Sequence, residues 1–193
     1  MSCPSVSSQR DLLVETGARL FHDRGYSATG VRQVAAAADV PLGSFTNHFR
    51  SKERFALVVL DHYVARLNAI MVTTLGDTSR SPARRLEAYF DAIERALSER
   101  DWSVGCLIPD LATEAPIHSE LLRGALAKVL EQQTGAFAAV LDDVVDPDGV
   151  DDVAAVVLAA WHGTLLRMKV ERSDEPVARF RRVLRRLLSA EIT

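Results

Sequence analysis

The sequence predicts an all-α protein of about nine helices, with a small N-terminal domain followed by a larger helical one. Apolar residues recur at helical spacing along nearly the whole chain, which leaves little room for strands. No repeat and no low-complexity tract occurs. The 193 residues are 48% hydrophobic and 25% charged, which is ordinary usage for a globular protein with a real core.

The first helix is expected to begin near Ser8, a residue type that caps helix N-termini, and to end at Gly25. The apolar residues of this segment fall on one helical face, which carries Leu13, Gly17, Leu20 and Phe21. The sequence therefore predicts an amphipathic helix with one buried face.

Two short helices joined by a sharp turn are predicted next. Thr29 or Gly30 caps the second helix, whose inner stripe is Val31, Val34, Ala35 and Ala38. Asp39 occupies the turn, and aspartate is one of the few non-glycine residue types that tolerate the left-handed conformation. Pro41 suits the first position of a third helix, which reaches about His48 with Phe45 and Phe49 inside.

Six further helices are predicted in the rest of the chain. The fourth follows Ser51 and is long, ending near Gly76, and Pro82 opens the fifth. Between residues 102 and 116, one glycine and two prolines leave room only for a short helix between two corners. The last three helices are expected over about 118–143, 151–172 and 176–190.

Charge is distributed unequally between the two expected domains, residues 1–55 and residues 56–193. The net charge is −3, yet residues 1–55 hold seven Lys or Arg against five Asp or Glu. Residues 56–193 hold sixteen basic against twenty-one acidic side chains. If either domain contacts a polyanion, we expect it to be the N-terminal one.

Several classes of site are disfavoured. Two cysteines, Cys3 and Cys106, cannot form a disulfide framework, and no Cys and His have the spacing of zinc ligands. The longest apolar run, Val153 to Trp161, is nine residues, and the first thirty lack a secretory signal pattern. We therefore expect a cytoplasmic protein that contacts no membrane and holds neither a metal nor a cofactor.

No motif of a hydrolase, a nucleotide-binding enzyme or a metalloprotease occurs in the sequence. His118 with Glu114, or His162 with a carboxylate, can be drawn as a base and its orienting group, but any helical chain yields such pairs. We expect no catalytic residue, and an enzyme that uses a His and Glu pair is the least favoured alternative.

The first three predicted helices form a helix-turn-helix domain, a motif whose second short helix enters the DNA major groove. The outer face of that helix carries side chains short enough to meet base edges and phosphates, namely Ser44, Thr46, Asn47 and His48. Arg32 and Lys52 flank it as expected phosphate contacts. On the pattern alone, a helical hairpin that binds another protein instead of DNA remains an alternative.

Four runs share one register within about 45 residues, namely 18–21, 25–26, 31–35 and 44–52. Together they resemble the N-terminal domain of TetR-family transcriptional regulators. The resemblance implies a homodimeric repressor of a palindromic operator, whose C-terminal domain binds an unknown small-molecule effector and whose fourth helix transmits that event. It also implies DNA contacts at Arg32, Ser44, Thr46, His48 and Lys52, with Pro41, Leu42 and Gly43 opening the recognition helix.

Three positions depart from the family pattern. The family commonly has a lysine where this chain has Leu42 and a tyrosine where it has Thr46. The first change removes a charge and the second shortens a hydroxyl-bearing side chain, so operator affinity and sequence choice stay open. Asp39 stands where the family usually has a turn glycine.

Gly105-Cys106-Leu107 with Glu114, residues 161–169 and Phe180 resemble a narrower branch, the regulators of N-ethylmaleimide reductase and of acrylate metabolism. The resemblance implies that Cys106 responds to electrophiles or oxidants, and Lys169 is a candidate to stabilise its thiolate. A small buried hydrophobic residue is the alternative for Cys106.

Candidates to line an effector cavity are Tyr89, Phe90, Trp102, Trp161 and His162, although aromatic residues at helical spacing are more often core. The last two helices offer more apolar surface than one intramolecular contact needs. A four-helix bundle across a two-fold axis would bury that surface, which predicts a homodimer.

Overall fold

A computed structural model of the chain describes residues 8–100, 102 and 104–190, and within them it shows nine α-helices and no strand. The helices are α1 Gln9–Arg24, α2 Val31–Ala37, α3 Leu42–His48, α4 Lys52–Thr74, α5 Pro82–Ser98, α6 Leu107–His118, α7 Glu120–Leu141, α8 Val150–Glu171 and α9 Glu175–Ala190. A 3₁₀ turn, Pro147–Gly149, precedes α8. The predicted all-α fold is confirmed, and Cys3 lies outside the described residues.

Packing groups the helices into two compact units that do not follow chain order. The first unit contains the residues up to Val64 together with Leu107–Leu126. The second contains Ala65–Cys106 and the residues from Ala127 onward. Helix α6 thus belongs with α1, α2 and α3, whereas the division into domains 1–55 and 56–193 remains a proposal.

An aromatic cluster forms the core of the first unit. The ring of Phe55, from α4, lies 6.0 Å from Phe21, 5.0 Å from Phe45 and 4.9 Å from Phe49, measured between ring centres. Gly17 lets α1 approach this cluster, because a Cβ added there would stand 2.3 Å from Phe55. The inner face of the helix-turn-helix is therefore a packed hydrophobic core.

Local chemistry sets the helix ends of the first unit much as the sequence predicts. The Ser8 hydroxyl accepts from the Asp11 amide at 3.2 Å, and the Asp11 carboxylate accepts from the Ser8 amide. Gly25 ends α1 with φ +83°, and Asp39 forms the turn before α3 with φ 53°. Pro41 is the N-cap of α3 and not its first helical residue, a shift of one position.

Helix α6 differs from its prediction, because it runs unbroken from Leu107 to His118. Pro109 is the third residue of the helix, where the backbone N–H has no partner within the helix and its absence costs little. Pro116 lies in the last turn. Residues 104–106, directly before the helix, are irregular, and Trp102 has a left-handed conformation with φ 56°.

A second aromatic cluster forms the core of the second unit. Phe90, from α5, lies 4.6 Å from Trp161 on α8 and 5.0 Å from Phe180 on α9, again between ring centres. Tyr89 lies 5.3 Å from Phe137 on α7. Four helices of this unit therefore meet around Phe90 and its neighbours.

Two stretches, α4 and residues Pro147–Glu171, are long and apolar enough to cross a membrane by length and composition alone. Core helices of proteins that contact no membrane meet the same criterion, so this observation is weak support for a span.

Candidate nucleic-acid interface and effector site

Helix α3 has one buried and one exposed face. Phe45 and Phe49 point into the aromatic core, and both are almost fully buried. Of the predicted DNA-contact residues at positions 41–48, Ser44 is half-buried. The others are exposed, namely Pro41, Leu42, Gly43, Thr46, Asn47 and His48. The core thus fixes α3 while its outer face remains accessible to a partner.

The start of α3 offers open space. A Cβ added to Gly43 would meet no atom within 4 Å, so the fold does not require a glycine there. The Thr46 hydroxyl donates to the Gly43 carbonyl at 2.9 Å, which leaves the lone pairs of its oxygen able to accept. A phosphate or a base edge can therefore approach the backbone of this turn closely.

The turn between α2 and α3 is held by backbone hydrogen bonds. The Val40 amide donates to the Ala35 carbonyl at 3.0 Å, and the Asp39 amide donates to the Ala36 carbonyl at 3.2 Å. Asp39 has the positive φ that its residue type tolerates. These bonds fix the angle at which α3 leaves α2.

The two expected phosphate contacts differ in their surroundings. Arg32 is exposed on α2. Lys52 is half-buried, its ammonium donates to the Ser27 carbonyl at 3.3 Å, and it stands 4.4 Å from the centre of the Tyr26 ring. Burial lowers the pKa of Lys52, and the nearby Glu114 charge opposes that change. Lys52 is thus already bonded within the protein.

Glu114 is a functional candidate, and the sequence did not predict its position next to Ser27. From α6, its carboxylate accepts a hydrogen bond from the Ser27 amide at 2.7 Å. Burial acts to raise the pKa of Glu114, but hydrogen bonds from the backbone of Ser27 and Tyr26 and the charge of Lys52 outweigh it and lower the pKa. No local signal connects residues 87 positions apart, so the contact is visible only in the fold.

The structure places Tyr89, Phe90 and Trp161 in the core of the second unit, all almost fully buried. Phe137 belongs to the same cluster and was missed, although its position on an apolar face of α7 was the available signal. These rings pack directly against one another. An effector that binds among them must therefore separate them or enter beside them.

Cys106 lies immediately before α6 and is 7% exposed. Burial raises the pKa of the Tyr89 phenol far above its ordinary value, and a charge on the neighbouring Cys106 raises it further. The Tyr89 phenol therefore stays neutral near neutral pH and is able to donate a hydrogen bond.

The remaining effector candidates lie at the margins of the core. His162 and Lys169 are half-buried on α8, as is Trp102 in the segment before α6. Burial lowers the pKa of His162, so the neutral imidazole is favoured near neutral pH.

A cleft of about 220 Å³ lies between α5 and α9. Its lining is mostly apolar and comprises Ala83, Leu86, Glu87, Phe90, Arg181, Leu184, Arg185 and Leu188. The charged residues are already paired, since Arg181 contacts Asp91 at 2.6 Å and Arg185 contacts Glu87 at 2.9 Å. Of the predicted effector residues, Phe90 lines this cleft.

Two family models match the chain. The model of bacterial regulatory proteins of the tetR family matches residues 13–59. The model of the LmrA/YxaF-like transcriptional regulator C-terminal domain matches residues 82–183, more than half of the chain.

Curated relatives carry names of the same kind. The HTH-type transcriptional repressor DhaR of Mycobacterium sp. strain GP1 is 38% identical over 177 residues, which cover 89% of this chain and 87% of the relative. The transcriptional regulator AcuR of Cereibacter sphaeroides is 28% identical over 192 residues, covering 95% and 86%. The repressor NemR of Escherichia coli K12 is 28% identical over 174 residues, covering 87% of each chain.

Solved structures agree in fold. A regulatory protein TetR from Rhodobacter sphaeroides superposes with a TM-score of 0.86 at 28% identity, covering 92% of this chain and 97% of that one. The reduced form of E. coli NemR superposes with a TM-score of 0.77 at 27% identity, covering 90% and 93%.

Proposed function

Because the chain belongs to the TetR family of transcriptional repressors, we propose that it binds a palindromic operator as a homodimer and releases it when an effector binds. The observation that carries this proposal is that α3 has two different sides. Its aromatic side is buried in the core, and its polar side is exposed. An operator in bacterial DNA implies a cytoplasmic protein that needs no membrane.

The exposed face of α3 supports direct reading of DNA. Thr46, Asn47 and His48 present short polar side chains of the kinds that hydrogen-bond to base edges and phosphates. Leu42 is 39% exposed at the start of α3 and offers an apolar contact, such as one to a thymine methyl group, where the family commonly has a charge. Arg32, exposed on α2, is the proposed phosphate contact.

Unburied apolar residues on the last two helices support the homodimer. Five large apolar side chains there are more than half exposed, namely Val156, Leu166, Val170, Val183 and Leu187. Exposed apolar residues in such number on two adjacent helices are typical of a surface that a second copy covers. A dimer through α8 and α9 would present two recognition helices to two operator half-sites.

The effector is proposed to act on the second unit, either as a ligand among the aromatic residues around Phe90 or by modification of Cys106. The thiol is mostly buried, adjacent to Tyr89 and next in sequence to α6, the helix that contributes Glu114 to the first unit. A relative of this chain, NemR, is known in a form described as reduced, which supports a test of thiol chemistry.

The test is a fluorescence-anisotropy titration of the protein on duplex DNA from immediately upstream of its own gene, repeated at several salt concentrations. We expect tight binding that weakens as salt rises. Arg32→Gln should lower the magnitude of the slope of log K against log salt by about 1.8, the value for two phosphate contacts, one from each protomer of the dimer. Lys128→Gln on α7 should leave the slope unchanged. Folded protein with no salt-dependent duplex binding would favour a protein-interaction hairpin instead.

A second arm of the same titration tests the sensor. N-ethylmaleimide should release DNA from the wild type and from Cys3→Ser but not from Cys106→Ser. If all three keep their DNA, Cys106 is a core residue and the effector is a conventional ligand.

A further inference from the structure

We infer that Lys52 and Glu114 act together as a clamp on the peptide of Ser27, and that this clamp, not a phosphate contact by Lys52, is what makes both residues necessary for DNA binding. The inference rests on the proposed operator binding. The Ser27 clamp is defined as the Lys52 ammonium, the Glu114 carboxylate and the backbone of Ser27. Both side chains are positioning residues.

Both backbone polar groups of Ser27 are taken by side chains from other helices. Its N–H donates to the Glu114 carboxylate of α6 at 2.7 Å, and its carbonyl accepts from the Lys52 ammonium of α4 at 3.3 Å. Charge-assisted bonds of this kind are stronger than neutral ones. Because the two charges are opposite and meet at one residue, each also favours the ionised form of the other.

The position of Lys52 opposes a role at the DNA phosphates. The Lys52 ammonium stands 4.4 Å from the centre of the Tyr26 ring, which is itself buried, and Lys52 as a residue is half-buried. To reach a phosphate, the Lys52 ammonium would have to leave the Tyr26 ring and break its hydrogen bond to the Ser27 carbonyl. It would also move away from the Glu114 carboxylate, which attracts it. Arg32 is exposed and faces no such competition.

The clamped loop sets the start of the helix-turn-helix. The Thr29 hydroxyl donates to the Gly25 carbonyl at 2.8 Å and lies 3.3 Å from the Leu20 carbonyl, so the loop is also tied to α1. A Cβ at Gly25 would stand 2.4 Å from Glu114, which shows how closely the carboxylate fits against the end of α1. Gly30, three residues after Ser27, caps α2.

Loss of the Lys52 or Glu114 charge should therefore shift the recognition helices of the dimer, while the number of phosphate contacts stays the same. This outcome separates the clamp from a phosphate contact, because only a phosphate contact changes the salt dependence of binding.

The experiment compares salt slopes and affinities of full-length variants on the upstream duplex. Lys52→Met keeps an unbranched apolar side chain and removes the ammonium, and Lys128→Met removes the same charge from an exposed position on α7. We expect Lys52→Met and Glu114→Ala each to weaken binding about tenfold with the wild-type salt slope. Glu114→Gln, which keeps an acceptor for the Ser27 amide, should bind with most of the wild-type affinity. The double variant that combines Lys52→Met with Glu114→Ala should bind no more weakly than the single variant with the lower affinity.

Three results would overturn the clamp. One is a salt slope for Lys52→Met reduced by about 1.8, as for Arg32→Gln, since Lys52 of each protomer would then contact a phosphate. Another is wild-type affinity in Glu114→Ala. The third needs no DNA, namely an unprotected Ser27 amide in hydrogen exchange of the wild type, where we expect protection that Glu114→Ala removes. If the Ser27 amide of the wild type is protected but the wild type binds no duplex DNA, the proposed function is overturned instead.

Discussion

The residues at the start of α3 show which features of the surface the fold requires and which it does not. The turn at Asp39 requires a residue type that accepts a positive φ, since φ is 53° there and few residue types other than glycine accept that value. Gly43 is not required by the fold, because no atom lies within 4 Å of the position of a Cβ there. Gly124 on α7 has the same open space, so only a comparison of the two positions tests whether DNA approaches Gly43.

Replacement of Gly43 by alanine is expected to separate folding from DNA binding. Gly43→Ala should leave the thermal midpoint unchanged or raise it, because alanine is favoured over glycine in a helix by about 1 kcal/mol. It should weaken operator binding, since the added methyl group occupies the space through which DNA approaches. Thermal denaturation and anisotropy on the same sample measure the two effects.

Gly124→Ala on α7 is the matched control, because its added Cβ also meets no atom within 4 Å. That variant should keep wild-type affinity. Wild-type affinity in Gly43→Ala would mean that DNA does not approach α3 at Gly43.

At the level of single residues, the sequence predicts those roles that depend on neighbours along the chain. The Ser8 cap, the Gly25 helix end and the Asp39 turn all follow from residue type and local order. The position of Lys52 does not, because its partners are Ser27, 25 residues away, and Glu114 on a separate helix. A lysine beside a predicted recognition helix is therefore easily assigned to phosphate when the fold uses it internally.

Helix α6 shows how the position of a proline decides its effect. Two prolines predict an interrupted segment, yet α6 is continuous because one proline occupies its first turn and the other its last. The sequence does not reveal where the helix begins, so the effect of each proline is uncertain until the structure fixes the first residue. The amphipathic stripes of α1 and α5, by contrast, were predictable from spacing alone.

Helices α8 and α9 carry the apolar residues on which the dimer proposal depends. Leu187 is 57% exposed and Val183, one turn before it, is 51% exposed. Leu184 and Leu188, on the adjoining face of α9, are buried against the second unit. One helix thus has an apolar side that packs in its own core and a second apolar side that is exposed.

A charge in the second apolar side of α9 should break the dimer. Leu187→Glu places an unpaired carboxylate in the proposed interface, which should raise the dimer dissociation constant by roughly a hundredfold or more. Light scattering measures the mass and so reports the loss of the dimer. Operator affinity should also fall, because a single protomer reads only one half-site.

Val72→Glu on α4 is the comparison variant, since it adds the same charge at an apolar residue that is 71% exposed outside α8 and α9. It should remain dimeric. A dimeric Leu187→Glu protein would place the interface elsewhere.

The chain as a whole illustrates the limit of prediction from pattern. The all-α class follows from helical periodicity, and the family from a register of residues within the first third of the chain. The membership of the first unit does not follow, because α6 joins it through contacts such as those of His22 with Asp110 and Ser27 with Glu114. Contacts between residues more than 80 positions apart leave no periodic trace in either segment.

Net charge also misleads at the scale of the molecule. An overall charge of −3 is unfavourable for a protein that binds nucleic acid, yet basic residues exceed acidic ones only in residues 1–55. Binding is thus expected to be confined to that part of the surface and to depend on a small number of phosphate contacts.

Hydroxyl-radical footprinting of the wild-type protein on the upstream duplex shows whether a homodimer reads a palindromic operator through α3. We expect two protected blocks related by two-fold symmetry, with centres about 34–36 Å or a multiple of that distance apart. A single protected block, or none at concentrations where the protein is folded and dimeric, would contradict it.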